Sequence, residues 1–219
     1  MGNIFTYDIV GTGAVIAGAR KTAARMWKIP SHIDGLLVTG IKAYAFALRD
    51  DIEVLHIPDT VHMIGKEAFR HCQNLKYVAV YETDETSVIP MEIDTLAFHN
   101  CTALESFDAK VPIYIREFAF WKCSNMWNFN VKMIGADKMA FAECEKLRTA
   151  SFGRNAYWET NSFKGCKSLS HLFFYYPIAR HMPQYSGKMR LLKGKTISCC
   201  SDFNCMDLAY AGYNLDVSL

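Results

Sequence analysis

The stretch that decides the fold is Ile64-Gly65-Lys66-Glu67-Ala68-Phe69-Arg70-His71-Cys72-Gln73-Asn74-Leu75-Lys76-Tyr77-Val78-Ala79-Val80. Its pattern recurs about six times, and each copy is anchored on one phenylalanine: Phe46, Phe69, Phe98, Phe120, Phe141 and Phe163. These anchors are spaced 23, 29, 22, 21 and 22 residues apart. A repeat of this length is typical of solenoids, in which each coil packs only against its neighbours. The chain is therefore predicted to form a stack of coils.

The residues around each anchor fall into columns. The residue before the anchor is alanine in five copies and serine in the last: Ala45, Ala68, Ala97, Ala119, Ala140 and Ser162. The third residue after it is arginine in the first copy and cysteine in the others: Arg49, Cys72, Cys101, Cys123, Cys144 and Cys166. Further columns, five before and six, nine and eleven after the anchor, are mostly apolar. Such columns indicate one packing position repeated in every coil.

Each predicted coil has two short segments. After the anchor, apolar residues follow the pattern of Leu75, Val78 and Val80, which predicts a strand with these side chains inward. Stacked copies of this strand would form a parallel sheet. The Ala-Phe-x-x-Cys segment is too short for a regular α-helix, which predicts a 3₁₀ turn or a single helical turn.

The ends of a solenoid need atypical units to cover them. Residues 1–40 are predicted to be an N-terminal cap, with a β-hairpin over residues 4–17 around Gly11 and Gly13. Six repeats occupy about residues 41–180, so that residues 1–180 form one repeat domain. Residues 181–219 fit no anchor spacing and are predicted to be a C-terminal cap.

The repeat pattern resembles the BspA-type leucine-rich repeat of bacterial and protist surface proteins. The resemblance rests on Ile-Gly-x-x-Ala-Phe-x-x-Cys-x-x-Leu-x-x-Val-x-Val, and on the strand end Ile57-Pro58-Asp59-Thr60-Val61. It implies an α/β fold, a right-handed leucine-rich-repeat solenoid with a parallel β-sheet on its concave face. It also implies a cell-surface or secreted location, and adhesion to host or matrix proteins.

The composition and net charge limit the classes of partner that can be expected. Of the 219 residues, 51% are hydrophobic and 21% are charged, which is typical of an ordered domain. The formal net charge of +2 gives no reason to expect nucleic acid as a partner. No apolar run reaches the length of a membrane span, and the N-terminus lacks the pattern of a signal peptide.

The eight cysteines divide into two groups. The five in the repeat column are predicted to be free thiols in the core, since buried cysteine behaves as a small hydrophobe. Disulfides between neighbouring coils are the alternative. Cys199, Cys200 and Cys205 lie outside the repeats, where with His171 or His181 they are candidates for a zinc site or an activated nucleophile. A structural role in the C-terminal cap is the simpler interpretation, so no metal or cofactor is expected.

The residues between the inward columns are the candidates for ligand binding. They vary from copy to copy, as expected for positions that packing leaves free, and they include aromatics, which are enriched at binding hot spots. Ordinary exposed surface is the alternative. The predicted ligand-binding residues on the concave face are Val54, His56, Lys76, Tyr77, Tyr81, Ser106, Asp108, Trp127, Asn128, Asn130, Thr149, Ser151, His171, Phe173 and Tyr175.

The pattern favours a non-enzymatic protein-recognition module, because no catalytic motif is present. Two alternatives remain open at this point. The repeats could target a zinc- or cysteine-dependent activity in the C-terminal segment, or they could form an intracellular interaction scaffold, which many unpaired thiols would suit.

Overall fold

The computed structural model describes residues 4–85, 89–159, 161–175 and 196–199. The described residues contain strands and turns and no α-helix or 3₁₀-helix. The strands are β1 (Phe5–Val10), β2 (Gly13–Ala19), β3 (Met26–Lys28), β4 (His32–Ile33), β5 (Leu36–Ile41), β6 (Val54–Pro58), β7 (Met63–Ile64), β8 (Tyr77–Tyr81), β9 (Met91–Ile93), β10 (Ser106–Asp108), β11 (Ile113–Ile115), β12 (Asn128–Asn130), β13 (Met133–Ala136), β14 (Thr149–Trp158), β15 (His171–Phe174) and β16 (Thr196–Cys199).

The coils stack into a β-solenoid of about seven turns with two sheets, which are parallel except for the β1–β2 and β4–β5 pairs. The five-stranded sheet, in the order β12-β10-β8-β6-β3, contains four of the strands predicted from the alternating apolar residues, and the other two, β14 and β15, belong to the second sheet. The second sheet has eleven strands and follows the order β1-β2-β5-β7-β9-β11-β13-β14-β15-β16, with β4 paired to β5. It runs through the column five residues before each anchor, where Ile41, Ile64 and Ile93 are register partners. The predicted parallel sheet is therefore present, and a second sheet accompanies it.

The N-terminal residues extend the stack by one coil. Strands β1 and β2 pair in antiparallel fashion where the hairpin was predicted. However, β2 also pairs in parallel with β5, and β3 pairs in parallel with β6. These residues therefore belong to both sheets, so the structure does not support the prediction that residues 1–40 form an N-terminal cap on the repeats. The predicted C-terminal cap lies outside the described residues, except for Thr196–Cys199.

The turns after the second sheet correct the prediction of helical segments and of the α/β class. In each of the coils from Phe46 to Phe141, the residues two before and two after the anchor have positive φ, as at Glu67 (55°) and His71 (58°). A left-handed residue every fourth position interrupts helical hydrogen bonding. The freed amides bond to the next coil instead: Phe69 N donates to Ala97 O at 2.8 Å, and His71 N to His99 O at 2.9 Å.

The anchors form one continuous stack of rings. Neighbouring pairs from Phe46 to Phe163 lie 5.0–5.4 Å apart between ring centroids, and their planes are inclined by 15° or less. At the N-terminal end the buried Trp27 meets Phe46 edge-on at 5.9 Å. The stack runs the length of the repeats, so each ring is buried mainly by the rings of the adjacent coils.

All five column cysteines are buried, and Cys72, Cys101, Cys123 and Cys144 are free thiols, which confirms the prediction of core thiols for these four. Each thiol lies near the anchor carbonyl of the preceding coil; Cys123 Sγ, for example, donates to Phe98 O at 3.1 Å. Burial raises the pKa of the Cys123 thiol, which keeps it neutral and unreactive. The column thus supplies a hydrogen bond between coils as well as apolar packing.

Candidate functional site

The predicted ligand-binding residues lie on the outer side of the five-stranded sheet and of the adjoining strands β14 and β15 of the second sheet. We call this surface the binding face; it comprises the segments seven to twelve residues after each anchor. Strand pairing places Val54, Tyr77, Ser106 and Asn128 in one row, and Thr149 pairs with His171 further along. Between these two groups, Arg148 N donates to Trp127 O at 3.4 Å. The sequence columns therefore predict the rows of this surface correctly.

Four aromatic side chains are exposed on the binding face. The exposed fraction is 42% for Tyr77, 44% for Trp127, 37% for Phe173 and 36% for Tyr175. Exposed rings on a rigid sheet are suited to packing against a partner, because ordering them costs little conformational entropy. These four residues form the apolar part of the candidate site.

Tyr81 has a different role from the other predicted aromatics. It is partly buried, and its hydroxyl donates to Ile29 O at 2.8 Å. Lys28 Nζ lies 4.4 Å from its ring centroid. Burial, followed by the charge of Asp59, raises the pKa of the Tyr81 hydroxyl. These contacts indicate a residue that ties neighbouring coils together and leaves little of its surface for a ligand.

A polar cluster occupies the middle of the face. Ser106 Oγ donates to Asp108 Oδ2, and Asn128 Nδ2 donates to Ser106 Oγ at 2.9 Å. Ser106 is itself buried, and so is Ser151 in a later coil. The sequence pattern identified these serines as outward residues, but neighbouring side chains cover them.

The predicted site includes the positions that flank the rows in only some coils, such as Lys76, Trp127 and Tyr175. Glu53 accepts from Lys76 Nζ at 3.0 Å, and Tyr77 OH donates to Glu105 Oε2 at 3.0 Å. Met26 extends the first row by one coil and is 62% exposed. The positions seven and twelve residues after the anchor, when taken in every coil, also identify Glu53, Glu105, Arg148 and Lys132.

The outer side of the eleven-stranded sheet carries a network of charged and polar side chains that are paired with one another. Arg116 donates to both carboxylate oxygens of Glu92, at 2.8 and 3.0 Å, and Tyr157 OH donates to Asp137 Oδ1 at 2.6 Å. Burial, with the hydrogen bond to Asp137, raises the pKa of Tyr157 to about 12. Because these groups are already paired, the network stabilises the sheet rather than offering free groups to a ligand.

A second cluster lies at the turns, where His71, His99 and Trp121 follow one another across three coils. The His99 ring stacks on Trp121 with centroids 4.7 Å apart and meets His71 edge-on at 5.2 Å. Within the described part of the chain, His99 Nδ1 is buried without a hydrogen-bond partner. Burial is the largest of the effects that lower the pKa of His99 from 6.5 to about 4, and the charges of His71 and nearby cations add to it.

This cluster predicts that stability depends on pH. The unfolded chain binds a proton at His99 near pH 6.5, whereas the folded chain binds it only near pH 4. The free energy of unfolding should therefore fall as the pH decreases from about 7 to about 4. The variant His99→Phe keeps an aromatic ring against Trp121 and removes the titrating group, so its urea midpoint should depend less on pH. An equal decrease in the variant and the wild type would contradict this assignment.

No group of three or more His, Cys, Asp or Glu side chains within residues 4–85, 89–159, 161–175 and 196–199 is arranged to hold a metal ion. The C-terminal candidates Cys200, Cys205 and His181 lie outside the described residues, as does the side chain of Cys199. In the described part of the chain, no helix is long and apolar enough to cross a membrane.

Comparison with known proteins agrees with this architecture. A family model described as the BspA type leucine rich repeat region matches residues 39–175 in six copies. A comparison with curated proteins gives no match.

Solved structures show the same fold at low identity. A leucine rich repeat protein from T. pallidum superimposes with a TM-score of 0.54 and 17% identity, over 97% of this chain and 95% of that one. A leucine rich cell surface protein from Faecalibacterium prausnitzii gives 0.52 and 19%, over 90% of this chain and 44% of that one. A leucine-rich repeat protein from Bacteroides ovatus gives 0.51 and 18%, over 93% and 60%. The chain thus spans about half the length of these last two proteins.

Proposed function

The chain belongs to the BspA-type leucine-rich repeat family, and we propose that it is a non-enzymatic module that binds a protein through the binding face. Repeats of this family are typical of surface proteins that interact with other proteins. The observation that carries the proposal is the set of exposed rings, Tyr77, Trp127 and Phe173, on a surface whose backbone is held by strand pairing.

The geometry suits recognition because the face is preorganised. Behind it, inward residues such as Val78, Phe107 and Phe129 are almost fully buried, which fixes the backbone beneath each exposed ring. A surface that is ordered before binding loses little entropy when a partner docks. Binding by such a face is expected to concentrate on the central aromatics, while polar residues at the rim contribute less.

The location that we propose is the cell surface or the exterior, with a host or matrix protein as the partner. The F. prausnitzii protein of the same fold is described as a cell surface protein, which supports this proposal. The five buried thiols do not favour a reducing compartment over this location. Each is shielded from solvent, so the thiols are expected to stay reduced in either compartment.

The test is a binding screen against purified extracellular-matrix proteins immobilised on a biosensor. For a partner that binds, Trp127→Ala and Tyr77→Ala should each weaken the complex by about 2 kcal/mol, roughly thirtyfold in Kd. The loss follows from removing a ring that packs against the partner at the centre of the face.

Tyr44→Ala is the matched control, since Tyr44 is an aromatic residue of similar exposure, 54%, on the turns rather than on the binding face. The affinity of the Tyr44→Ala variant for the partner should equal that of the wild type. A partner that binds both central variants as tightly as the wild type would refute the placement of the site.

A further inference from the structure

The carboxylates on the binding face all lie in one of its two halves, which also contains Lys76 and Lys110. In the three coils after Phe46, Phe69 and Phe98, the face contains the carboxylates Glu53, Glu105 and Asp108. In the three coils after Phe120, Phe141 and Phe163, the corresponding segments, residues 127–132, 148–153 and 170–175, contain none. These three segments contain Lys132, Arg148 and His171 instead. We call them the C-terminal half of the binding face.

The carboxylates of the first half are already paired. Glu53 accepts from Lys76 and lies 3.8 Å from Arg25 Nε. Glu105 accepts from Tyr77 OH at 3.0 Å, and Asp108 accepts from Ser106 and from Asn128. A partner approaching the first half therefore meets groups whose hydrogen bonds are made within the protein.

Among the described residues, no ion pair joins Lys132 or Arg148 of the C-terminal half to a carboxylate. Arg148 is exposed, and its guanidinium makes no ion pair within the described residues. Lys132 Nζ lies 4.5 Å from the ring centroid of Tyr175. Arg148 lies in the row of Trp127, one coil further along, because its amide donates to the Trp127 carbonyl. The half thus combines two exposed cations with the rings of Trp127, Phe173 and Tyr175.

From this distribution we infer that the C-terminal half of the binding face binds an acidic segment of a partner protein, one in which Asp or Glu residues alternate with aromatic or aliphatic residues. The inference rests on the proposed function and specifies the chemistry of its partner. Arg148 is suited to bidentate pairing with a carboxylate, and Lys132 supplies a second point charge. The exposed rings accept the apolar side chains that lie between the acidic ones.

A protein segment fits this surface better than a nucleic acid does. A phosphate backbone that continued along the rows would meet Glu105 and Asp108, whose hydrogen-bond partners are uncharged, so these carboxylates keep their negative charge and repel it. The net charge of +2 also supplies little long-range attraction for a polyanion. An acidic peptide can end or turn where the carboxylates of the protein begin.

The experiment selects binders without assuming their chemistry. A phage-displayed library of random short peptides is selected on the full chain, and the most enriched peptide is synthesised with a fluorescent label. A second peptide carries Lys at every Asp or Glu position, and an oligothymidylate is the third probe. Affinities are measured by fluorescence polarisation at low salt and at about 0.15 M salt, where exposed charges are screened beyond about 8 Å.

The variants separate charge from aromatic packing. Lys132→Glu combined with Arg148→Glu reverses both cations, and Lys138→Glu combined with Lys164→Glu makes the same change in net charge at exposed turn positions. We expect enriched peptides to be acidic, to bind more weakly at higher salt, and to lose about tenfold in affinity with the first pair only. Trp127→Ala should weaken the same peptide.

The outcomes distinguish this inference from the proposed function. Enriched peptides that are not acidic, or that bind the Lys132→Glu/Arg148→Glu variant normally but lose affinity with Trp127→Ala, would overturn the inference and leave the proposed function standing. Tighter binding of oligothymidylate than of the peptide, lost in the same charge-reversal variant, would also overturn it. Peptides whose binding is unaffected by Trp127→Ala, Tyr77→Ala and both charge reversals would overturn both.

Discussion

Replacing Phe120 with alanine is expected to lower the free energy of unfolding by about 3–5 kcal/mol. The ring is fully buried and stacks on Phe98 at 5.2 Å and on Phe141 at 5.4 Å. It also meets Phe107 and Phe129 edge-on, at 5.5 and 5.2 Å. The rings on both sides belong to rigid coils that cannot close the gap, so the substitution leaves a cavity as well as losing apolar burial.

Urea unfolding measures this loss, and Trp127→Ala is the control in the same coil. Trp127 is larger than Phe120 but 44% exposed, so its removal should change the free energy of unfolding by about 0.5 kcal/mol or less. Hydrogen exchange should show weaker protection in the coils of Phe98 and Phe141 as well, because coils stabilise their neighbours. A Phe120→Ala protein as stable as the control would contradict the role of the ring stack.

The anchor columns could be predicted from the sequence because packing repeats with the coil. Every inward position recurs at the same distance from its phenylalanine, so one copy predicts the others. The same period predicts the rows of the binding face, and strand pairing places Tyr77 beside Ser106 as expected. The extra N-terminal coil was not recognised, because Trp27 takes the place of an aliphatic residue and no phenylalanine precedes it at the usual spacing.

The conformation of the turns could not be predicted, because it depends on contacts between coils. Left-handed residues are usually identified by glycine or asparagine. Here the positions carry Glu67, His71 and Lys122 among others, with φ of 55°, 58° and 63°. The bonds that hold them, such as Lys122 N to Ala142 O at 2.9 Å, reach the next coil. The Ala-Phe-x-x-Cys segment, considered without its neighbouring coils, therefore predicts a helical turn.

The second sheet and its charged network were missed for a related reason. Strands of two or three residues, such as Met63–Ile64, are too short to show alternation. The pair of Arg116 and Glu92 joins residues that are 24 positions apart in the chain. Charges on the outer side vary between copies, so the repeat pattern does not indicate which of them meet.

The alanine column before each anchor limits the spacing of the coils. Ala97, Ala119 and Ala140 are fully buried, and their carbonyls accept the bonds that join successive turns; Phe98 N, for example, donates to Ala119 O at 2.8 Å. The last copy contains Ser162, also fully buried. Its hydroxyl bonds to Ala136 O at 2.8 Å and to Asp137 O at 2.9 Å. The column therefore accommodates one additional polar atom where backbone carbonyl oxygens can accept its hydrogen bond.

Two substitutions at Ala119 are expected to differ strongly in their effect on stability. Ala119→Leu should lower the free energy of unfolding by about 3 kcal/mol, since the larger side chain must separate adjacent coils. Ala119→Ser should change it by less than about 1 kcal/mol, because a hydroxyl at this position can donate as Ser162 does. Ala79→Leu introduces the same leucine on the outer, half-exposed side of β8 and should leave the free energy of unfolding nearly unchanged. Urea midpoints followed by tryptophan fluorescence compare the three. An Ala119→Leu protein as stable as the Ala79→Leu protein would contradict the interpretation that contact between coils restricts this column to small residues.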